Sequence, residues 1–238
     1  MDRISDETRN RLAAVGTASI TTLLFKRGLR NTWVHGVKRV SAAERNLVGE
    51  AFTLRNIPSR EDLDTVSVFE NREHPQRKAF DTVPAGCVLV IDCRGDTRAA
   101  SGGGILTTRL KVRGAAGLVS DGGLRDIAEI SAMDFPVYCA GAAAPLNLTR
   151  HHAADINVPI GCGGVPVYPG DLVVGDADGV VIIPRHLADA IAAEATEMER
   201  FERFALQQIE RGQPLIGTYP PSPETRARYA EWTDKPSG

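Results

Sequence analysis

A glycine-rich stretch from Gly95 to Asp126 constrains this chain more than any other part of it. It runs Gly95-Asp96-Thr97, then Gly102-Gly103-Gly104-Ile105-Leu106, then Gly117-Leu118-Val119-Ser120-Asp121-Gly122-Gly123-Leu124-Arg125-Asp126. The apolar runs 87–93 and 115–120 have the content of buried parallel strands, and 105–113 between them can form a helix. Together they predict one βαβ unit with glycine-rich turns at its strand ends. Such turns are where α/β folds place their ligands. Arg125 and Asp126 add a fixed cation and a carboxylate at the mouth of the same unit, and an active site is expected there.

The rest of the chain reads as a frame around this unit. Ser5 predicts an N-cap, with Asp6 and Glu7 in the first turn of the helix it starts. A second helix is expected over 17–26, with Thr17 as its N-cap and a stop at Gly28. Residues 48–56 read as a strand. Residues 59–78 are highly charged and lack periodicity; they read as a surface excursion with one helical turn near Val66. A short helix is expected over 76–82, stopped by Pro84. Beyond Asp126, a helical turn over 127–132 and a strand over 135–140 follow. Segments 154–159 and 163–167 read as strands of a more antiparallel region, and two Gly-containing turns flank the strand at 172–174, with another strand at 180–183. Leu187, Ile191, Ala195, Met198, Phe201, Ala205 and Ile209 keep a helical rhythm that predicts a long amphipathic helix over 186–211, ended by Gly212. A domain over 1–212 and a C-terminal extension over 213–238 are expected.

Composition excludes several function classes. A formal net charge of −2 carries no electrostatic footprint for nucleic acid or an anionic membrane. The N-terminal residues lack an apolar signal region and no stretch approaches a membrane span, so the expectation is a cytoplasmic protein. Cys87, Cys93, Cys139 and Cys162 form no CxxC pair and read as buried reduced thiols.

Each candidate group has a chemical and a structural reading. Gly102-Gly103-Gly104 ahead of Ile105 and Leu106 offers backbone N–H groups at a helix N-terminus, which suits a carboxylate; the alternative is a turn that needs positive φ. No GK[ST] follows and no GxGxxG is present, so a nucleotide is not expected. Arg125 can grip a carboxylate in a fork or stabilise an oxyanion, and Asp126 can hold a hard cation such as Mg²⁺. A surface arginine beside a helix-capping aspartate is the alternative. Glu129 either supports a cation through water or is a solvated charge. His151-His152 reads as a loop or surface pair, Asp171, Asp176 and Asp178 as turn residues, and Ser101 and Ser120 lack a His–Asp arrangement.

Gly103 or Gly104 followed, after a spacer, by Arg125-Asp126-x-x-Glu129 resembles the signature of the RraA-like family. The segments Gly95-Asp96, Asp121-Gly122, Val167-Tyr168-Pro169-Gly170-Asp171 and Asp178-Gly179-Val180-Val181-Ile182-Ile183-Pro184 resemble it too. That family includes class II pyruvate aldolases acting on 4-hydroxy-4-methyl-2-oxoglutarate and 4-carboxy-4-hydroxy-2-oxoadipate, and members described as regulators of ribonuclease activity. The resemblance implies a three-layer α/β fold, a swivelling β/β/α domain, assembled as a homotrimer or a dimer of trimers; the long helix and tail themselves predict that the extension packs on a neighbouring subunit. It implies a divalent metal, Mg²⁺ or Mn²⁺, with Asp126 as the direct ligand and Arg125 against the substrate and its enolate. The backbone of Gly103, Gly104, Ile105 and Leu106 would hold the substrate carboxylate. Several aldolase members place an acidic residue where this chain has Gly104. The implied activity is retro-aldol cleavage of a 4-hydroxy-2-oxo acid to release pyruvate, with oxaloacetate decarboxylation as a side activity. No His or Lys is placed as its base, which leaves a metal-associated water. The rival expectation is a non-catalytic binding protein that regulates a ribonuclease.

Overall fold

The computed structural model describes residues 3–233. In chain order the elements are α1 (Asp6–Ala13), α2 (Thr17–Lys26), β1 (Lys38–Arg39), β2 (Leu47–Pro58), a 3-10 turn (Val66–Glu70), α3 (Pro75–Thr82), β3 (Val88–Asp92), α4 (Gly104–Val112) and β4 (Gly117–Leu124). They continue with α5 (Ile127–Ser131), β5 (Val137–Ala142), β6 (His151–Ile156), β7 (Ile160–Cys162), β8 (Val165–Val167), β9 (Leu172–Asp176), β10 (Gly179–Ile183), α6 (Ala188–Glu210) and α7 (Pro223–Thr233).

Strand alternation sets the layers. β3 sends Leu89 and Ile91 to one face, where they pack with Phe80 of α3, Leu110 of α4 and Ile130 of α5. It sends Val88 and Val90 to the other face, into a core shared with Tyr138, Val173, Ile182 and the β7–β8 hairpin. β9 and β10 then turn Leu172, Val174, Val181 and Ile183 outward against Leu12, Ile20, Leu24 and Ile191 of α1, α2 and α6. The expected β/β/α order is present, with a second helical cover on the far side.

β2, β3, β4 and β5 are parallel neighbours in that order. β2 is long enough to serve two partners on its other edge: its first residues pair antiparallel with β9, its last with β6. β1 closes onto β5, and the eight strands curl into a nearly closed, barrel-like sheet. Among the described residues, no helix is long and apolar enough to cross a membrane. All four cysteines are buried and free.

The βαβ unit, both N-terminal helices and the long α6 match the sequence reading. Four elements differ. Gly16, not Thr17, is the N-cap of α2; Thr17 is its first residue and is held by Asp176, which accepts its N–H at 2.7 Å and its hydroxyl at 2.8 Å. β6 starts earlier than residues 154–159, and β7 was not anticipated: it is three residues long and bounded by a glycine pair. β4 runs on through Gly122 and Gly123 to Leu124 because a Cβ at Gly122 would lie 2.6 Å from Cys93, so only glycine lets the neighbouring chain approach. The tail folds back on its own chain, where Phe204 of α6 meets Tyr229 and Trp232 of α7 at ring distances of 5.4 and 5.7 Å.

Asp121 ties the site loop to this frame. Its buried carboxylate accepts the N–H of Cys93 at 2.5 Å, of Gly95 at 3.1 Å and of Gly163 at 3.0 Å. Asp121→Ala orphans all three donors and is expected to cost about 3 kcal/mol. Urea denaturation checks this; an unchanged midpoint would show that other acceptors replace the carboxylate.

Candidate active site

The site forms where the C-terminal end of β4 meets the loop ahead of α4. Two backbone bonds stitch this junction, Ser101 N–H to Gly123 O at 2.8 Å and Arg125 N–H to Gly102 O at 3.1 Å, and the chain leaving β5 adds Ala143 N–H to Leu124 O at 2.9 Å. From α3, the Gln76 amide donates to Ser101 O at 2.8 Å.

Asp126 then adopts a left-handed conformation, φ 59° and ψ 40°, which non-glycine residues rarely take. Its carboxylate Oδ2 accepts the Gly104 N–H at 2.9 Å, so it caps α4 and not its own helix α5. The carboxylate also sits 3.7 Å from the Arg125 Nε, and both side chains are nearly half exposed.

Within the glycine run, Gly103 is needed for space rather than for positive φ. Gly103 has φ −153°, and a Cβ there would lie 2.5 Å from Asp126 Oδ2 and 2.9 Å from Arg125 Cγ. With the Gly104 N–H engaged by Asp126, the donors at the α4 N-terminus that bond no acceptor among the described residues include those of Ile105 and Leu106. They point outward from a helix whose dipole favours an anion.

Gly103, Ile105, Leu106, Arg125 and Asp126 line one cavity of about 220 Å³; Gly104 lies beside it. Glu129 is exposed on α5 and does not line it. Ala100 and Gly102 continue the wall, and Gln76, Arg77, Leu146 and Asn147 join it from other parts of the chain. None of the last four was anticipated. Gln76 and Arg77 sit where the charged excursion passes into α3, and nothing in the local pattern points them at Arg125.

The donor set suits a hard cation held mainly by water and substrate. Asp126 is the only carboxylate among the lining residues, and among the described residues its Oδ1 takes no protein hydrogen bond. Among the described residues no group of three or more His, Cys, Asp or Glu gathers anywhere. One carboxylate with open positions fits Mg²⁺ or Mn²⁺ better than Zn²⁺.

The other candidates fall into structural roles. Ser101 and Ser120 bond each other at 2.8 Å in the interior, and burial pushes the adjoining Cys93 thiol up to about 12. His151 and His152 lie in β6, not in a loop or surface pair. His151 is buried, which holds its pKa below the ordinary value, and His152 Nδ1 pairs with Asp64 at 2.8 Å. Asp171 accepts the N–H groups of Tyr168 and Arg185, and Asp176 accepts that of Asp178, as turn residues do.

The comparisons with known proteins give the family and the fold. A family model described as RraA-like, Aldolase/RraA, matches residues 3–182. The chain belongs to the RraA-like family. A relative from Halalkalibacterium halodurans, named "Putative 4-hydroxy-4-methyl-2-oxoglutarate aldolase", is 39% identical over 155 residues, 65% of this chain and 73% of that protein. An uncharacterized protein of Methanocaldococcus jannaschii is 32% identical over 190 residues, 76% of this chain and 82% of that one. Among solved structures, Streptomyces coelicolor RraAS2, described as an unusual member of the RNase ES inhibitor RraA protein family, superposes with a TM-score of 0.75 at 29% identity. That match covers 86% of this chain and 98% of the other.

The clearance at Gly103 gives a test of the RraA-like site. Gly103→Ala is expected to push aside both Asp126 and Arg125, lowering any turnover at least tenfold while the melting temperature stays within a few degrees of wild type. Full turnover in this variant would show that neither side chain needs the position it holds here.

Proposed function

We propose that this RraA-like protein is a lyase that cleaves a 4-hydroxy-2-oxo acid by retro-aldol reaction and releases pyruvate, with oxaloacetate decarboxylation as a side activity. One observation carries this reading: Arg125, Asp126 and the free N–H groups of Ile105 and Leu106 share a single cavity.

The substrate carboxylate next to the 2-oxo group sits on the Ile105 and Leu106 N–H groups. The Arg125 guanidinium faces the 2-oxo oxygen. The C4 hydroxyl proton passes to a water molecule, C4–O becomes a carbonyl, the C3–C4 bond breaks, and its electron pair moves to C3 and the 2-oxo oxygen. Arg125 stabilises that developing negative charge. A proton added at C3 completes pyruvate. Loss of CO₂ from oxaloacetate develops the same charge on the same atoms. Asp126 would hold Mg²⁺ or Mn²⁺, which when bound supplies further positive charge against the 2-oxo oxygen. No His, Lys or Glu lines the cavity, and Asp126 is assigned to the metal, so water takes the hydroxyl proton in this reading.

The test is a panel of 4-hydroxy-2-oxo acids incubated with Mg²⁺ or Mn²⁺, with pyruvate release coupled to NADH oxidation by a dehydrogenase. Pyruvate from at least one is expected; neither pyruvate nor CO₂ from any 2-oxo acid would end the reading. The likeness to S. coelicolor RraAS2 supports a second reading, a non-catalytic regulator of a ribonuclease. Stoichiometric ribonuclease binding without turnover would favour it.

A further inference from the structure

We propose that Arg77 determines specificity at this site: its guanidinium, clamped on the Phe69 ring, reads a second carboxylate at the far end of the 2-oxo acid. This rests on the reading of the cavity as a 2-oxo acid site.

Arg77 lies in the first turn of α3, half-buried, with its guanidinium carbon 4.0 Å from the centre of the Phe69 ring. Phe69 comes from the 3-10 turn of the charged excursion and meets His74 edge-on at 5.7 Å. The excursion is itself anchored, because Asp64 accepts the Arg60 N–H at 2.7 Å and pairs with His152 of β6. The guanidinium therefore has a built seat, and less rotamer freedom is lost when it grips an anion.

What the seat lacks is a counter-charge. Among the described residues no carboxylate pairs with Arg77, although it lines the cavity with a second arginine, Arg125. Burial, and then the charge of Arg125, holds the Arg77 guanidinium below its ordinary value, yet an arginine stays protonated at neutral pH. The only carboxylate in the wall, Asp126, already accepts the Gly104 N–H. A monocarboxylate on Ile105 and Leu106, with its 2-oxo oxygen at Arg125, leaves Arg77 unanswered. A ligand with a second carboxylate at its far end answers it.

Calorimetry in Mg²⁺ buffer tests this without turnover, using 2-oxoglutarate and pyruvate. 2-Oxoglutarate has two carboxylates but no 4-hydroxyl to cleave; pyruvate has one carboxylate. Wild type is expected to bind 2-oxoglutarate more tightly. Arg77→Met, which keeps the stem on Phe69, should weaken 2-oxoglutarate about tenfold or more and leave pyruvate unchanged. Arg77→Lys should recover part of the loss, and Phe69→Leu should fall between wild type and Arg77→Met. Equal weakening of both ligands, no weakening of either, or a wild type that binds neither would overturn the assignment. A selective loss in a protein that cleaves no 4-hydroxy-2-oxo acid would sustain Arg77 as the carboxylate reader and sink the lyase reading.

Discussion

Asp126→Ala is expected to abolish metal-dependent turnover while leaving the fold intact. Asp126 is the only carboxylate lining the cavity, so its removal leaves a divalent ion with no direct protein ligand there. The structural loss is small by comparison. The Gly104 N–H loses an acceptor that is itself nearly half exposed, a change comparable to removing a helix cap, about 1 kcal/mol. In a chain of this size that corresponds to a melting temperature lower by roughly 2–4 °C. Excess metal should rescue the variant only weakly. Asp126→Asn separates the two duties of the side chain, because the amide oxygen can still accept from Gly104 while the charge is gone: thermal stability should return and turnover should not. Wild-type turnover in Asp126→Ala would confine this residue to capping α4.

Arg125→Lys should lower kcat by on the order of a hundredfold, the usual effect of removing one donor from developing negative charge. Lysine keeps the charge but not the planar fork. Because the lost interaction is made mainly as the C3–C4 bond breaks, KM should rise less than kcat falls. Metal affinity, followed by Mn²⁺ titration, should stay near wild type, since Asp126 is untouched. Oxaloacetate decarboxylation should fall in parallel with aldol cleavage. A variant that loses cleavage and keeps full decarboxylation would place Arg125 at the C4 end of the substrate instead.

The central unit was legible because its signals are local. The apolar content of 87–93 and 115–120 and the glycines between them state a βαβ unit without help from the rest of the chain, and Arg125-Asp126 follows directly on its second strand. The reason for Gly103 was not legible. Its clearance from Asp126 depends on a left-handed turn 23 residues later, and sequence offers only the general association of glycine with turns. His151 and His152 were misplaced for a related reason. His-His-Ala-Ala-Asp-Ile has no alternating apolar pattern, and those residues become a strand because the end of β2 supplies an edge for them. Arg77 was hidden most completely. Its segment is charged and aperiodic, and its position depends on Phe69, on Asp64 and on β6, three contacts that only the folded chain brings together.

The stitches between the 101–104 loop and the end of β4 bear on when the cost of order is met. A glycine-rich loop that closes around an anion on arrival gives up backbone freedom at that moment, about 1–2 kcal/mol for each residue fixed. Here Ser101, Gly102 and Gly104 are bonded to Gly123, Arg125 and Asp126, partners that the chain itself supplies. The entropy of this loop is therefore spent during folding, and the affinity for an anion at Ile105 and Leu106 is not reduced by it. Amide hydrogens of the loop should exchange slowly in the free protein and change little when substrate binds.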